Sequence, residues 1–594
     1  MLGESFAHRL TGLFAPVIVA LFAPTLAAAA TRVETWSLQQ QEQPDSEAVL
    51  KQARSAQSRF ERIRRSNLPY ASGTGGGRCD VNVGRFCYWH DDDDSWRQRE
   101  ENAETIRERE TLLQRMHSAA ALLPGDRWIP GQRVRYLIEA ERLDAALGAA
   151  RECEADSWWC GALQGYVLHV LGKYASAEAA FDSSMAAMSD EQECEWRDIS
   201  LLLEGKSRGR YEDLDCDERA DLERRFWWLS DPLFSVPGNE RRTEHYSRVV
   251  VARLLEESDS PRSIPWGRDN VELLYRYGRI IGWQRRYSSR LSTGLDRSIL
   301  GHHRSHSWQF APTHDYLLDL SEIAAGDWDL EPDQPHTRYA VEYATDFRSL
   351  RHVLSVFRDD SSAVVVGRCE IPAIGDSSRT VGHSSSGNWE SALVVAASHS
   401  SSPVMSRDQD CRTLAVTVPL APALVNIEAL SRVDSVAARD RYWLDIPAHL
   451  GSDDGLTVSD ILPIRAVEDL PVDLTEAAPI ALSSTDLAPG DEIGLYWEVY
   501  GLDLGWNSVE ISLSVEKVGK GFFRRVGEWT GVVGRRSDQI RMRWIENVPA
   551  TVTLNRAITV RLTPSMDGTY MMQLAVRAPT GETAVTSRLI EVEP

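Results

Sequence analysis

The apolar positions of this chain change their period near its middle. From about residue 100 to 205 they recur at three- and four-residue intervals with few breakers, which predicts amphipathic helices. "DERADLERRFWWLS" continues that pattern and should stop at Asp231-Pro232, because proline disfavours helix for the residue before it. Pro237 and Gly238 then predict a turn, Asn239 is a good N-cap, and Glu240 falls in a first helical turn, where negative charge is favoured. On that next helix Glu244 and Arg248 stand four apart, and Tyr246, Val249, Val250 and Leu254 share a face that should pack inward.

From about residue 334 the period drops towards two. "SSAVVVGRCEIP", "ESALVVAAS", "RTLAVTVPL" and "ALVNIEAL" are short β-branched runs bounded by turn formers, hence strands. A second set, "DEIGLYWEVYGL", "SVEISLSVEKV", "AITVRLTPS" and "TYMMQLAVRAP", follows the Pro- and Asp-rich "DILPIRAVEDLPVDLTEAAP". The expected fold class is therefore multidomain α+β: an N-terminal helical region, a central α/β unit, and two C-terminal antiparallel β-sandwiches. The last sandwich is expected to be immunoglobulin-like, with Trp497 or Tyr500 as its core anchor. Its segments are 31–99 (a charged helix and a cysteine-clipped loop), 100–205 (helical), 206–325 (central), 334–460 and 475–594 (sandwiches).

The helical stretch contains a repeat. "GKYASAEAAF" carries Gly172, Tyr174, Ala177 and Phe181 and resembles the second helix of a tetratricopeptide repeat, with Gly165 where the first helix of that repeat needs a small residue. "ERLDAALGAA" repeats the spacing more weakly through Leu143, Ala146 and Ala150. Such paired helices imply either a surface for a protein or peptide partner or plain scaffolding.

Composition changes the picture in three ways. A net charge of −23 repels phosphate backbones and anionic lipid, so nucleic acid is not an expected partner. Residues 1–30 read as a signal peptide: a short apolar run interrupted by Pro16 and Pro24, then four alanines from Ala27. With that segment removed no membrane span is expected, and the protein should be exported, either periplasmic or secreted. Export in turn makes the eight cysteines read as disulfides, and proximity pairs Cys79 with Cys87, Cys153 with Cys160, Cys194 with Cys216, and Cys369 with Cys411.

The centre of the chain resembles the GWxTD domain of exported bacterial proteins. Phe226, Trp227, Asp231, Pro232, Pro237, Asn239, Glu240, Tyr246 and Arg248 match its aromatic helix, Asp-Pro turn, Pro-x-Asn-Glu turn and following helix. Trp266, Asp269, Tyr277 and Gly278 match its second half, whereas Pro265, Arg268 and Ile280 depart from it. The resemblance covers about 60 residues and implies architecture and habitat, because the family has no established reaction.

Chemistry is harder to find. His302, His303, His306, His314 and Asp315 lie close in sequence but read as a loop without the fixed ligand spacing a metal needs. The aspartates at 91–94 read as a solvated turn or a helix cap, and Ser385 lacks the first glycine of a nucleophile elbow. No catalytic residue, metal or cofactor is therefore expected. The sequence points to an exported, non-catalytic binding or scaffold protein of the bacterial envelope, which meets an envelope protein or peptide through its helical region. The alternatives are a hydrolase of envelope polymers with a site beside Trp266, Asp269 and Glu240, or a glycan-binding module with exposed tryptophans.

Overall fold

The computed structural model describes residues 45–70, 79–89, 98–285, 299–373, 388–451, 455–518, 540–548 and 553–593. The chain divides into two units after Asp45, and everything below concerns the second, Ser46–Pro594. The expected signal segment 1–30, the acidic run 91–94 and Ser385 lie outside the described residues.

The protein is mixed α+β, with helices concentrated in the first half and strands in the second. The helices are α1 (Ser46–Ser66), α2 (Ala103–Leu122), α3 (Trp128–Glu139), α4 (Leu143–Arg151), α5 (Ser157–Val170), α6 (Tyr174–Met185) and α7 (Asp190–Arg197). They continue with α8 (Gly205–Glu212), α9 (Cys216–Ser230), α10 (Glu240–Glu256), α11 (Arg268–Tyr277) and the short α12 (His314–Leu318) and α13 (Leu474–Ala477). Residues of α1 to α7 share one apolar core with Tyr246, Val249, Val250 and Leu254 of α10. The central segment therefore does not pack apart from the helices before it: α10 lies along α5 and α6 and reaches α3. The inward face expected from its sequence is the face that seals this core.

Two glycines set the helix spacing. A Cβ on Gly165 would lie 2.9 Å from the Phe181 ring, so α5 and α6 meet through a ring seated on bare backbone. Gly238 has φ +85° and presses onto the start of α6, where a Cβ would overlap the backbone of Tyr174 and Ala175. That turn carries the chain from α9 to α10.

Two hairpins flank the helices: β1 (Val81–Val83) with β2 (Phe86–Tyr88), and β3 (Gly282–Arg285) with β4 (Ile299–His302). The β half then opens with β5 (Asp346–Ser349), β6 (His352–Asp359), β7 (Ser362–Cys369), β8 (Glu390–Ala396), β9 (Val404–Gln409), β10 (Leu414–Pro419), β11 (Ala423–Ser431) and β12 (Val436–Leu444). These make a three-stranded sheet, β10-β7-β6, and a five-stranded sheet, β5-β12-β11-β8-β9, whose facing sides share one core.

The remaining strands are β13 (Thr457–Val458), β14 (Leu462–Arg465), β15 (Asp486–Leu487), β16 (Glu492–Tyr500), β17 (Ser508–Lys517), β18 (Ile540–Asn547), β19 (Leu554–Arg561), β20 (Gly568–Arg577) and β21 (Thr583–Val592). Strand β16 pairs with β13, β14 and β19, and faces the sheet β15-β21-β20-β17-β18 across a second core centred on Trp497. Tyr500 instead joins the first β core. Part of the expected linker is strand: residues 462–465 pair with β16, and Pro463 is tolerated because β14 lies at a sheet edge.

Cys79–Cys87, Cys153–Cys160, Cys194–Cys216 and Cys369–Cys411 are all disulfide-bonded. Four such bridges fit an exported protein made in an oxidising compartment. Among the described residues no helix is long and apolar enough to cross a membrane.

Because Gly238 combines a left-handed backbone with direct contact to α6, Gly238→Ala should lower the unfolding free energy by about 2–4 kcal/mol. Urea denaturation followed by tryptophan fluorescence measures it; an unchanged midpoint would show that this turn can relax away from α6.

Candidate functional site

One cluster of perturbed ionisable groups lies where the Asp-Pro turn between α9 and α10 meets the five-stranded sheet. Strands β11 and β12 pair so that Asn426 lies opposite Arg441 and Glu428 opposite Arg439. Alternation puts these four on one face, while Val425, Ile427, Ala438 and Tyr442 point into the apolar core.

The polar face grips the turn. Arg439 Nη1 donates to the carbonyls of Asp231 (2.6 Å) and Pro232 (2.7 Å), and Arg441 Nη1 donates to that of Leu229 (2.6 Å). Glu428 accepts from the amides of Phe234 (2.6 Å) and Ser235 (3.0 Å), and Arg407 of β9 donates to the Ser235 carbonyl (2.7 Å). Positive charge thus meets the exposed carbonyls at the end of α9, and negative charge meets the amides that follow.

The far side of the turn is held as tightly. Asn239 Oδ1 accepts from the amide of Arg242 (2.8 Å) as N-cap, while its Nδ2 donates to the Trp227 carbonyl (2.6 Å). Glu240 is fully buried, and the Tyr343 hydroxyl donates to its Oε1 at 2.5 Å. Burial pushes its carboxyl up to about 8, against the opposing effect of bonds from Tyr343 and Tyr174. Asp231 is likewise raised well above the usual carboxylate range by burial, with Arg441 opposing.

One turn further along α10, the sign reverses. Burial works against ionising Glu244, yet Arg248 and His169 outweigh it and hold the carboxyl well below its usual range. Arg248 donates from Nε to Glu244 (2.9 Å), from Nη1 to the Tyr275 carbonyl (2.7 Å) and from Nη2 to the Arg338 carbonyl (2.9 Å). A Cβ on Gly278 would lie 3.0 Å from Arg248 Nη2, so the Tyr-Gly pair leaves the room this arginine needs. Phe226, Trp227 and Tyr246 are core residues, and the Trp227 ring lies tilted against that of the buried His245, their centres 5.0 Å apart. Burial, aided by Arg241 and Arg248, holds His245 well below the usual imidazole range.

The second half of the motif does a separate task. Asp269 stands at the start of α11 and accepts from Arg85 of the first hairpin at 2.6 and 2.7 Å. The bond to Arg85 lowers its carboxyl to about 2. Tyr88 of the same hairpin stacks on Tyr277 at 3.7 Å. Trp266 is half-buried against the helical core. Glu240 and Asp269 therefore hold different partners and do not form an acid–base pair.

The histidines near residue 300 are also dispersed. His302 Nε2 meets Gln284 Oε1 at 3.2 Å, His303 is held down to about 4 by burial, and His314 Nδ1 meets Ser207 Oγ at 2.6 Å. Among the described residues no group of three or more His, Cys, Asp or Glu is placed to hold a metal.

Sequence reasoning did not single out Asn426, Glu428, Arg439, Arg441 or Tyr343. The available signal was the matched Asn-x-Glu and Arg-x-Arg alternation on successive strands, which reads as a solvent face until all nine positions of β11 prove buried. Away from this seam, an open groove of about 460 Å³ lies between Ser46, Glu47 and Leu50 of α1 and residues 122–126 at the end of α2.

No family model matches the chain, and no curated protein matches it. A DUF3823 family protein from Bacteroides ovatus aligns at 10% identity over 41% of this chain and 98% of its own, with a TM-score of 0.15. Salmonella α-2-macroglobulin aligns at 9% identity over 41% of this chain and 24% of its own, with a TM-score of 0.19. Red sea bream transglutaminase aligns at 11% identity over 41% and 31%, with a TM-score of 0.13. Scores of this size establish no shared fold.

A carboxyl whose folded value is about 8 against 4.5 unfolded holds its proton longer in the folded state. Stability should therefore fall as pH rises from about 4.5 to about 8. Glu240→Gln should flatten that part of the profile and gain stability over the wild type at pH 8 and above. Unfolding free energies measured across this window test it; an identical slope in both proteins would place the titrating group elsewhere.

Proposed function

We propose that this protein is an exported, non-catalytic binding or scaffold protein of the bacterial envelope, with a divergent GWxTD-type centre. Tetratricopeptide-like helices precede that centre, and two β-sandwiches follow it, the second immunoglobulin-like. The observation that carries this reading is the employment of the motif residues. Asn239, Glu240, Arg248 and Asp269 are each taken up in bonds to backbone or to another side chain, and Asp231 is buried with its backbone carbonyl held by Arg439. A general acid or base must reach a substrate proton within hydrogen-bond distance, and Glu240 has no exposed surface with which to do so. The contact between Gly165 and Phe181 supports the tetratricopeptide-like reading of α5 and α6. The four disulfides support life outside the cytoplasm.

Under this reading the helical region meets an envelope protein through surface that α10 leaves uncovered. The groove between the ends of α1 and α2 is such a surface: Leu122 is 52% exposed there, and Leu50 forms part of its wall. The expected result is stable retention of an envelope protein by the full chain in affinity capture. Leu122→Glu should weaken that retention at least tenfold while leaving the unfolding midpoint within about 0.5 kcal/mol of wild type. Capture of no envelope protein by the wild type would overturn the reading, as would equal capture by both proteins.

A further inference from the structure

Strand β6 is an edge of its three-stranded sheet, paired with β7 on one side and, among the described residues, with no strand on the other. An edge strand turns the N–H and C=O of every second residue outwards, a row that invites pairing with another chain. In this protein the row is met by groups from beyond residue 459. Arg588 Nη2 of β21 donates to the Leu354 carbonyl (2.6 Å). Asp460 Oδ2 accepts from the Val356 amide (2.9 Å), and the Asp460 amide donates to the Val356 carbonyl (3.1 Å). The Tyr500 hydroxyl, at the end of β16, accepts from the Arg358 amide (2.9 Å) and donates to Glu498 Oε2 (2.8 Å). Arg588 is itself aimed, because its Nε donates to the Ile461 carbonyl (2.7 Å) and its Nη2 also reaches Ser355 Oγ (2.7 Å). Burial pushes the Asp460 carboxyl up, and Arg588 opposes that shift.

The outer face of the same sheet is covered too. Leu354 and Val356 belong to the first β core, so Val353 and Phe357 point the opposite way, where an antiparallel sheet often meets water. Both are buried, in a cluster with Val366, Leu462, Ile464, Ala477 and Tyr496, and the Phe357 ring lies 5.8 Å from that of Tyr496. We propose that the two β cores belong to one rigid body, latched along the edge of β6 by Asp460, Tyr500 and Arg588, rather than to two modules free to turn about the chain that joins them. The three residues come from separate parts of the sequence and stand in for a neighbouring strand, meeting residues 354, 356 and 358 in two-residue steps. Apolar burial holds the faces together without choosing an angle, whereas directional bonds to successive backbone groups fix one. The latch also closes an edge on which a second chain could add a strand. A ligand carried on the last sheet therefore keeps one orientation relative to β11 and β12, and through Arg439 and Arg441 relative to α9.

The test uses the intact chain. Val433→Cys and Ile545→Cys, at positions 80% and 73% exposed on opposite sides of the joint, accept spin labels selectively because all eight native cysteines are disulfide-bonded. Pulsed electron spin resonance should give a single narrow distance between the labels. Adding Asp460→Asn and Arg588→Met should broaden it. A broad or multiple distribution in the labelled parent overturns the proposal, as does an equally narrow one after the latch residues are changed. Should that variant fail to fold, Tyr500→Phe decides, since it removes one hydroxyl and no volume from the core. Hydrogen exchange at the Arg358 amide should then quicken by about fivefold or more; a wild-type rate there overturns the latch.

Discussion

The fold depends on how a buried turn is satisfied. Between Leu229 and Asn239 the chain leaves one helix, passes two prolines and enters another, so its backbone has carbonyls and amides that no ladder can pair. Water cannot supply the partners, because the sheet face of β11 and β12 covers the turn. Charged side chains supply them instead: Arg407, Arg439 and Arg441 to carbonyls, Glu428 to amides. Unpaired, each of those backbone groups would be destabilising by about 1–3 kcal/mol, so the clamp is a condition of burying the turn at all.

That clamp also explains why the helical and β halves are joined firmly. An apolar cluster containing Tyr174, Leu233, Val236, Trp308, Phe310, Phe347 and Leu430 surrounds it and draws on helices, loops and both edges of the hairpin β11–β12. Hydrophobic contact supplies most of the free energy and little direction, whereas the arginine and glutamate bonds fix the orientation. Glu240 is part of the same logic. Kept protonated near neutral pH by burial, its carboxyl serves the interior as a polar joint to Tyr343, and it does so without adding a charge.

Much of the local structure was legible in the chain. The stop at Asp231-Pro232, the Asn239 cap, the Glu244–Arg248 pair and the inward face of α10 are short-range events, set by sterics and by side chains within one helical turn. The four disulfides join near neighbours in sequence, the furthest pair 42 residues apart. Residues 462–465 were harder, since a proline within a polar stretch looks like a linker unless the edge position of the strand is known.

What the sequence determined by itself was therefore the main helices and several of the strands, the caps and turns around α9 and α10, and the helix-to-strand change near residue 334, because each follows from period and local backbone preference. Tertiary structure alone decided which polar residues would be buried. Asn426, Glu428, Arg439 and Arg441 alternate with apolar neighbours as any solvent-facing set would, and only contact with a turn some 200 residues earlier turns that face inward. It also decided the role of Glu240 and Asp269, two carboxylates at equivalent helix starts. One is sealed among tyrosines and driven up to about 8; the other meets Arg85 and is driven down to about 2. Local sequence cannot separate them, because the difference lies in dielectric and in partners brought from distant parts of the chain.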